Sequence, residues 1–123
     1  MKFLKKLNKL KLAFISGATK GIGRSTAITF ANAGWDLILL SRKMDLLEKL
    51  KSELLTTKSK ISLVKCDLSN PLGIENCVGE AIEKYGCPSV LINNAGCAFN
   101  ESLVEMDFEH CEQTIQTNLT SVF

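Results

Sequence analysis

Leu12-Ala13-Phe14-Ile15-Ser16-Gly17-Ala18-Thr19-Lys20-Gly21-Ile22-Gly23 is the stretch that decides the fold. A short apolar run that reads as a buried strand passes directly into glycines spaced G-x-x-x-G-x-G, and a helical pattern begins at Gly21. A chain leaving a sheet this sharply has to turn, let a ligand group approach its backbone, and pack a helix close to a strand. Each task favours a residue without a β-carbon. The amino end of the helix adds free N–H groups and a partial positive charge, which suits a phosphate. The spacing differs from G-x-G-x-x-G, and the Gly-Lys-Ser/Thr ending of an NTPase phosphate loop is absent. Without its flanks the run would be an ordinary glycine-rich turn; its position between strand and helix is what points to a ligand.

Outward from this turn, apolar runs alternate with amphipathic stretches. Ile22, Ala27, Ile28, Phe30 and Ala31 suit a helix from about Gly21 to Ala33, stopped by Gly34. Leu37-Ile38-Leu39-Leu40 reads as a second strand, and residues 43–56 place Leu46, Leu47, Leu50 and Leu54 on one helical face. Ile61–Cys66 is a third strand. Pro71 opens a helix carrying Ile74, Cys77, Val78, Ala81 and Ile82 and ending near Tyr85-Gly86. Val90-Leu91-Ile92 is a fourth strand, and a last helix starts at Asp107 and runs to the C-terminus. Strands separated by helices of this length form β-α-β units in a parallel sheet. The crossovers are right-handed. The expected order is 3-2-1-4, the first half of a doubly wound α/β fold.

Composition sets the outer limits. The chain has 123 residues, 46% hydrophobic and 23% charged, enough for one packed domain. A net charge of +2 does not argue for nucleic acid. Lys2, Lys5, Lys6, Lys9 and Lys11 lie in the first eleven residues, and the remainder is mildly acidic. Residues 1–10 are therefore read as a basic lead-in to a domain spanning 11–123. Phe3, Leu7 and Leu10 fall at helical spacing there, so a membrane-surface helix is the alternative to a solvated tail. No apolar h-region follows the charges, as a signal peptide would require. No apolar run approaches the ~20 residues of a membrane span. The expectation is a cytoplasmic protein with no membrane partner.

Five cysteines (Cys66, Cys77, Cys87, Cys97 and Cys111) contain no C-x-x-C pair. They read as reduced, mostly buried small hydrophobes. His110 is the single histidine, which leaves no His/Cys spacing for zinc and no metal site.

Three further signals lie after strands. Arg42 follows the second, where such folds place a carboxylate to bind the free ribose hydroxyls of NAD; a guanidinium there suits the 2′-phosphate of NADP instead. Lys20, in the glycine turn, is able to reach the same phosphate. The alternative for both is exposed surface charge. Asp67 follows the third strand and can accept a hydrogen bond from an adenine amino group, or, with Ser69 and Asn70, cap the next helix. Asn93-Asn94-Ala95-Gly96 follows the fourth and suits a tight loop that lets a cofactor lie flat on the backbone; as a bare tetrapeptide it is equally a turn.

Taken together, these motifs resemble the short-chain dehydrogenase/reductase family. Gly17-x-x-x-Gly21-Ile22-Gly23 is similar to its glycine motif, Asp67-Leu68 to its post-strand Asp, and Asn93-Asn94-Ala95-Gly96 to its Asn-Asn-Ala-Gly motif. The resemblance holds from about Leu10 to the last residue. It implies a three-layer, Rossmann-type fold binding a nicotinamide dinucleotide, with Gly17, Thr19, Lys20, Gly21, Ile22, Gly23, Arg42, Asp67, Leu68, Asn93, Asn94, Ala95 and Gly96 in contact with it. The Lys20 and Arg42 pair resembles NADP(H)-preferring members. Thr117-Asn118-Leu119 resembles the stretch whose asparagine helps hold a water in a proton relay, which would make Asn118 catalytic. The last helix resembles a family subunit interface, which implies a homo-oligomer.

The resemblance breaks at the chemistry. The family uses a Ser and a Tyr-x-x-x-Lys, in which the tyrosine exchanges a proton with the substrate oxygen and the lysine lowers its pKa. The only tyrosine here is Tyr85, and Ser89 stands four positions on. Val122-Phe123 ends the last helical pattern without a glycine or proline stop. The expectation is therefore a truncated half-fold: the NADP(H)-binding part of an oxidoreductase that moves hydride between cofactor and a small carbonyl or alcohol. The alternatives are a non-catalytic nucleotide-binding module and a fragment without function.

Overall fold

The computed structural model describes residues 11–123, so the basic lead-in over residues 1–10 lies outside the described residues. Strands β1 (Leu12–Ser16), β2 (Asp36–Ser41), β3 (Ile61–Lys65) and β4 (Val90–Ile92) alternate with helices α1 (Gly21–Asn32), α2 (Met44–Glu53), α3 (Pro71–Tyr85) and α4 (Phe108–Asn118). All pairings are parallel and the order is β3-β2-β1-β4, as the β-α-β alternation predicts. Register pairs Ile15 with Leu39 and with Ile92, and Leu39 in turn with Leu63.

Side chains of a strand alternate between the faces of its sheet. Ala13, Ile15, Leu37 and Leu39 therefore point to one face, where Ala27 and Ala31 of α1 and Leu47 and Leu50 of α2 cover them. Leu12, Phe14, Ile38, Leu40 and Val64 point to the other, beneath Ala81 of α3. Strands covered on both faces read as continuous apolar runs, which is why β1 and β2 show no polar alternation. The result is the three-layer α/β sandwich expected from the sequence.

The two faces are not equally well sealed. Small alanines let α1 sit close on the sheet, and α2 contributes full leucines. In α3 only Ala81 is buried, and in α4 no residue is. Ile22 and Ile82, which the helical pattern assigns to apolar faces, are 78% and 40% exposed. Ile22 stands on the first turn of α1, above the strand ends instead of against the sheet.

Helix ends follow local chemistry. Trp35 N–H donates to Phe30 O and Gly34 N–H to Ala31 O, closing α1 in a Schellman pattern. The Phe30 and Trp35 rings meet edge-on at 5.1 Å across that turn. Asn70 caps α3 by accepting from Gly73 N–H at 3.3 Å, and Asp107 caps α4 by accepting from Glu109 N–H at 3.1 Å. The last helix does not run to the C-terminus as its pattern suggests. It breaks at Leu119 and continues as a 3₁₀ turn over Thr120–Val122. The helix predicted over 43–56 likewise ends at Glu53 and closes as a 3₁₀ turn over Leu54–Thr56.

The expectation that the cysteines are reduced and mostly buried is corrected. Cys66 and Cys77 form a disulfide, their Cα atoms 6.2 Å apart, and of the five only Cys66 is buried. The end of β3 and the second turn of α3 bring the two within bridging range, a proximity no local spacing announces. Among the described residues no helix is long and apolar enough to cross a membrane.

Leu39 has no solvent-exposed area and sits between Ile15 and Leu63 in the sheet. Leu39→Ala should lower the unfolding free energy by about 2–5 kcal/mol, seen as an earlier urea midpoint at unchanged slope. A loss well under about 1 kcal/mol would contradict this packing.

Candidate functional site

Because all pairings are parallel, the carboxyl ends of the strands lie along one edge, and ligands of such sheets bind there. The loops leaving them enclose a crevice of about 560 Å³. Its lining includes Gly17, Thr19, Lys20, Gly21 and Ile22 from the first turn, Arg42 after β2, Asp67 and Leu68 after β3, and Asn94, Ala95 and Gly96 after β4. Gly23 is buried beneath the turn and Asn93 is exposed; neither lines the crevice. Asn118 does not line it either, although its neighbour Thr117 does.

The crevice is held open by one clasp between β1 and β4. The Ser16 hydroxyl accepts from the N–H groups of Asn94 and Ala95, both at 3.1 Å, and donates to Ile92 O at 3.4 Å. In return the Asn94 side-chain amide donates to Ser16 O and Gly17 O, both at 3.1 Å. This crowding explains two of the glycines. Gly17 has φ +65°, and a β-carbon on it would lie 2.8 Å from Ala95 Cα. A β-carbon on Gly23 would collide with the Asn94 amide and the Gly17 carbonyl. The glycines are thus fixed by their own protein neighbours as much as by a ligand.

The amino end of α1 opens onto the crevice. Lys20 occupies its N-cap position with extended backbone and no side-chain bond, and no acidic residue lies in its first turn. Of the described α-helices, α1 alone lacks both devices; α3 and α4 have side-chain caps and α2 has Asp45 in its first turn. An undressed helix end with its positive dipole facing a cavity suits an anion.

Charge is divided along the crevice. Lys20, Arg42 and Lys43 line it and are exposed. The Ser41 hydroxyl lies 3.4 Å from that of Thr19 and accepts from Lys43 N–H at 3.3 Å, tying the β2 end to the glycine turn. Asp67 sits on the next strand end. Its carboxylate accepts from Ser69 N–H at 3.0 Å and from the Ser69 hydroxyl at 2.8 Å. The backbone bond from Ser69 lowers its pKa most; the Ser69 hydroxyl and the positive charge of Arg42 act in the same direction, against the opposing effect of burial. Asp67 is therefore an anion at neutral pH and does not cap the helix; Asn70 does that.

Asn118 bonds the loop after β4 with both ends of its amide. Its Oδ1 accepts from Cys97 N–H and its Nδ2 donates to Cys97 O, both at 2.8 Å. It pins the loop after β4 to α4. The same loop is gripped further on, where His110 stacks on Phe99 at 3.9 Å and its Nδ1 lies 3.0 Å from the Glu101 carboxylate. Ser41, Lys43 and Cys97 also line the crevice, as does Thr117, which the sequence reading named only as the neighbour of Asn118; Ser16 clasps the crevice from beneath, and the reading gave it no role beyond its strand. A polar residue closing an otherwise apolar strand was the available signal for Ser16. Lys43 stood beside Arg42.

Comparison with known proteins agrees with this geometry. The family described as "short chain dehydrogenase" matches residues 11–123. The chain is 34% identical over 111 residues to 3beta-hydroxysteroid dehydrogenase 2 of Eggerthella lenta, covering 89% of this chain and 43% of that protein. It is 34% identical over 110 residues to sulfoacetaldehyde reductase of Chromohalobacter salexigens, again covering 89% and 43%. Among solved structures, an alcohol dehydrogenase from Thermococcus sibiricus complexed with 5-hydroxy-NADP superposes with a TM-score of 0.86 at 31% identity, over 93% of this chain and 49% of that one. A short-chain dehydrogenase from Sphingobium yanoikuyae in complex with NADPH gives 0.83 at 30% identity, over 90% and 43%. The chain thus spans less than half the length of each of these proteins.

Ser16→Ala would leave the Asn94 and Ala95 amides without their acceptor and should destabilise the fold by about 1–3 kcal/mol, read by urea unfolding; an unchanged midpoint would show that the clasp is dispensable. His110 has its pKa raised above 6.5, chiefly by the hydrogen bond to Glu101. The stability it adds is therefore complete below pH 6.5 and fades as pH rises through the higher folded value. An NMR titration should show the His110 ring titrating above 6.5 and moving down in Glu101→Gln; no response to that substitution would exclude the pairing.

Proposed function

This chain belongs to the short-chain dehydrogenase family, a family of oxidoreductases, and on that premise we propose that it forms the NADP(H)-binding part of an enzyme acting on a small carbonyl or alcohol. One observation carries the reading: the uncapped amino end of α1 opens into a crevice lined by Lys20 of the glycine turn and by Arg42 and Lys43 after β2.

The residues fit the cofactor's chemistry. A pyrophosphate is matched by the α1 amino end beside Gly21, where nothing lies within 4 Å of an added β-carbon. A 2′-phosphate is matched by Arg42 and Lys20, a planar fork and a point charge, with Lys43 beside them. Asp67, held as an anion, is the acceptor for the adenine amino group, and Leu68 borders it. Asn94, Ala95 and Gly96 give the flat floor at the β4 end. When bound, the nicotinamide supplies hydride for exchange with the substrate. Support for the phosphorylated cofactor also comes from the similar Sphingobium and Thermococcus structures, which hold NADPH and 5-hydroxy-NADP.

Within these 123 residues the role of the chain is to bind and orient. Asn118 enters the proton-relay reading as a positioning residue: its amide fixes Cys97, and through it the end of the Asn94–Gly96 floor. Tyr85 is packed against the α3 face of the sheet, away from the crevice lining, and offers no proton to a substrate there. The exposed Phe108, Ile115 and Leu119 of α4 support the reading of that helix as a contact face between subunits.

Titration of the chain with NADPH and NADH, followed by nicotinamide fluorescence, tests the proposal. NADPH should bind more tightly. Arg42→Asp should weaken NADPH by about ten- to a hundredfold and affect NADH far less. Equal affinities would remove the phosphate preference, absence of binding would remove the cofactor reading, and turnover by the chain alone would contradict its restriction to binding.

A further inference from the structure

The Cys66–Cys77 pair closes an eleven-residue loop that contains the adenine-side wall of the crevice. Cys66 is buried, lines the crevice and directly precedes Asp67. Its N–H donates to Ser41 O, which ties it to the β2 end carrying Arg42. Cys77 is half-buried on α3 and packs on the same apolar cluster. Between them run Asp67, Leu68, Ser69 and the cap residue Asn70.

Besides the partly buried Leu68, Ile74 and Val78, which pack on the sheet, few contacts hold this segment. No residue of α3 before Ala81 is fully buried. Asp67 is held by Ser69, which itself belongs to the loop. The link from outside is a 3.5 Å hydrogen bond from the Gln116 amide to Leu68 O. The link to Cys66 adds a covalent tether between α3 and the sheet to this apolar packing. Resting on the dinucleotide reading above, we propose that the Cys66–Cys77 disulfide is a redox control of that site: oxidised, it pre-orders the Asp67–Leu68 wall and strengthens cofactor binding; reduced, it frees the wall and weakens it.

The chemistry is exchange with a low-molecular-weight thiol. The incoming thiolate attacks Cys77 Sγ, the more accessible sulfur, and the Cys66–Cys77 bond breaks with Cys66 leaving as a thiolate that takes up a proton. A second thiol attacks the resulting mixed disulfide, releasing the small-molecule disulfide and the Cys77 thiol. Two electrons and two protons pass to the protein, and two small thiols become one disulfide.

The full 123-residue chain, poised in buffers of reduced and oxidised glutathione, provides the test. NADPH affinity is measured alongside hydrogen exchange of the backbone amides of residues 67–76, and peptide mapping reports the cross-link. Reduction should raise the NADPH Kd by about threefold or more, the scale of losing pre-order in a few binding groups, and speed exchange in that segment. Cys77→Ser and Cys77→Ala should bind like the reduced chain under both poises. A Kd that ignores the poise, a missing Cys66–Cys77 cross-link, or a redox response that persists in the Cys77 variants (pointing to Cys97 in the crevice) would each overturn the control. Absence of NADPH binding in both states, with exchange still redox-dependent, would overturn the dinucleotide reading and the control with it, and is distinguishable from the other outcomes by that exchange.

Discussion

The site depends on one buried hydroxyl. Ser16 closes a strand that is otherwise all apolar, and its oxygen takes two backbone amides from a loop 78 and 79 residues further along the chain. Those amides lie at the end of β4 and would otherwise want water. Because Asn94 returns the bond to the Ser16 and Gly17 carbonyls, the first turn and the β4 loop are locked to each other from both sides. The close approach needed for that lock leaves no room for side chains on Gly17 or Gly23. A floor and a wall of the crevice thus arise from one arrangement, and the uncapped end of α1 is set above it.

The strand order was legible from alternation alone, since apolar runs of strand length separated by amphipathic helices allow few parallel sheets. Element bounds held where chemistry marks them: Pro71 at the start of α3, Gly34 after α1. They failed where the signal was only periodicity. Ile22 fits a helical apolar face yet stands out from the sheet, because the first turn of α1 projects past the strand ends. The final helix keeps its apolar spacing beyond Asn118, yet the backbone leaves the α-helix at Leu119.

Site residues were legible when they sit in short motifs after strands. Lys20, Arg42, Asp67, Leu68 and Asn94 to Gly96 line one crevice. What could not be read is partnership across the sequence. Ser16 with Asn94, Asn118 with Cys97, and Cys66 with Cys77 are all set by folding. The residue types did not name the partners: serine ends many strands, and a cysteine in an apolar run reads as a small hydrophobe. Asn93, counted with its motif, turns out to be exposed and outside the lining, while Asn94 spends its amide on the protein's own carbonyls.

The crevice therefore has walls of unequal firmness. The end beside the glycine turn rests on α1 and β1, which are anchored through Ala27, Ala31 and Ile15 in the sealed face of the sheet. The sides formed by the loops after β3 and β4 rest on α3 and α4, which fully bury one residue and none; they are held by partly buried Leu68, Ile74 and Val78 and by bonds local to the loops: Ser69 to Asp67, Asn118 to Cys97, Glu101 to His110. Segments with few buried contacts open at lower free energy than the core. A ligand long enough to span both ends would meet a preformed anion site at one end and a wall it must help to order at the other. Any added tether on the soft side then acts on affinity directly, because it removes an ordering cost the ligand would otherwise bear.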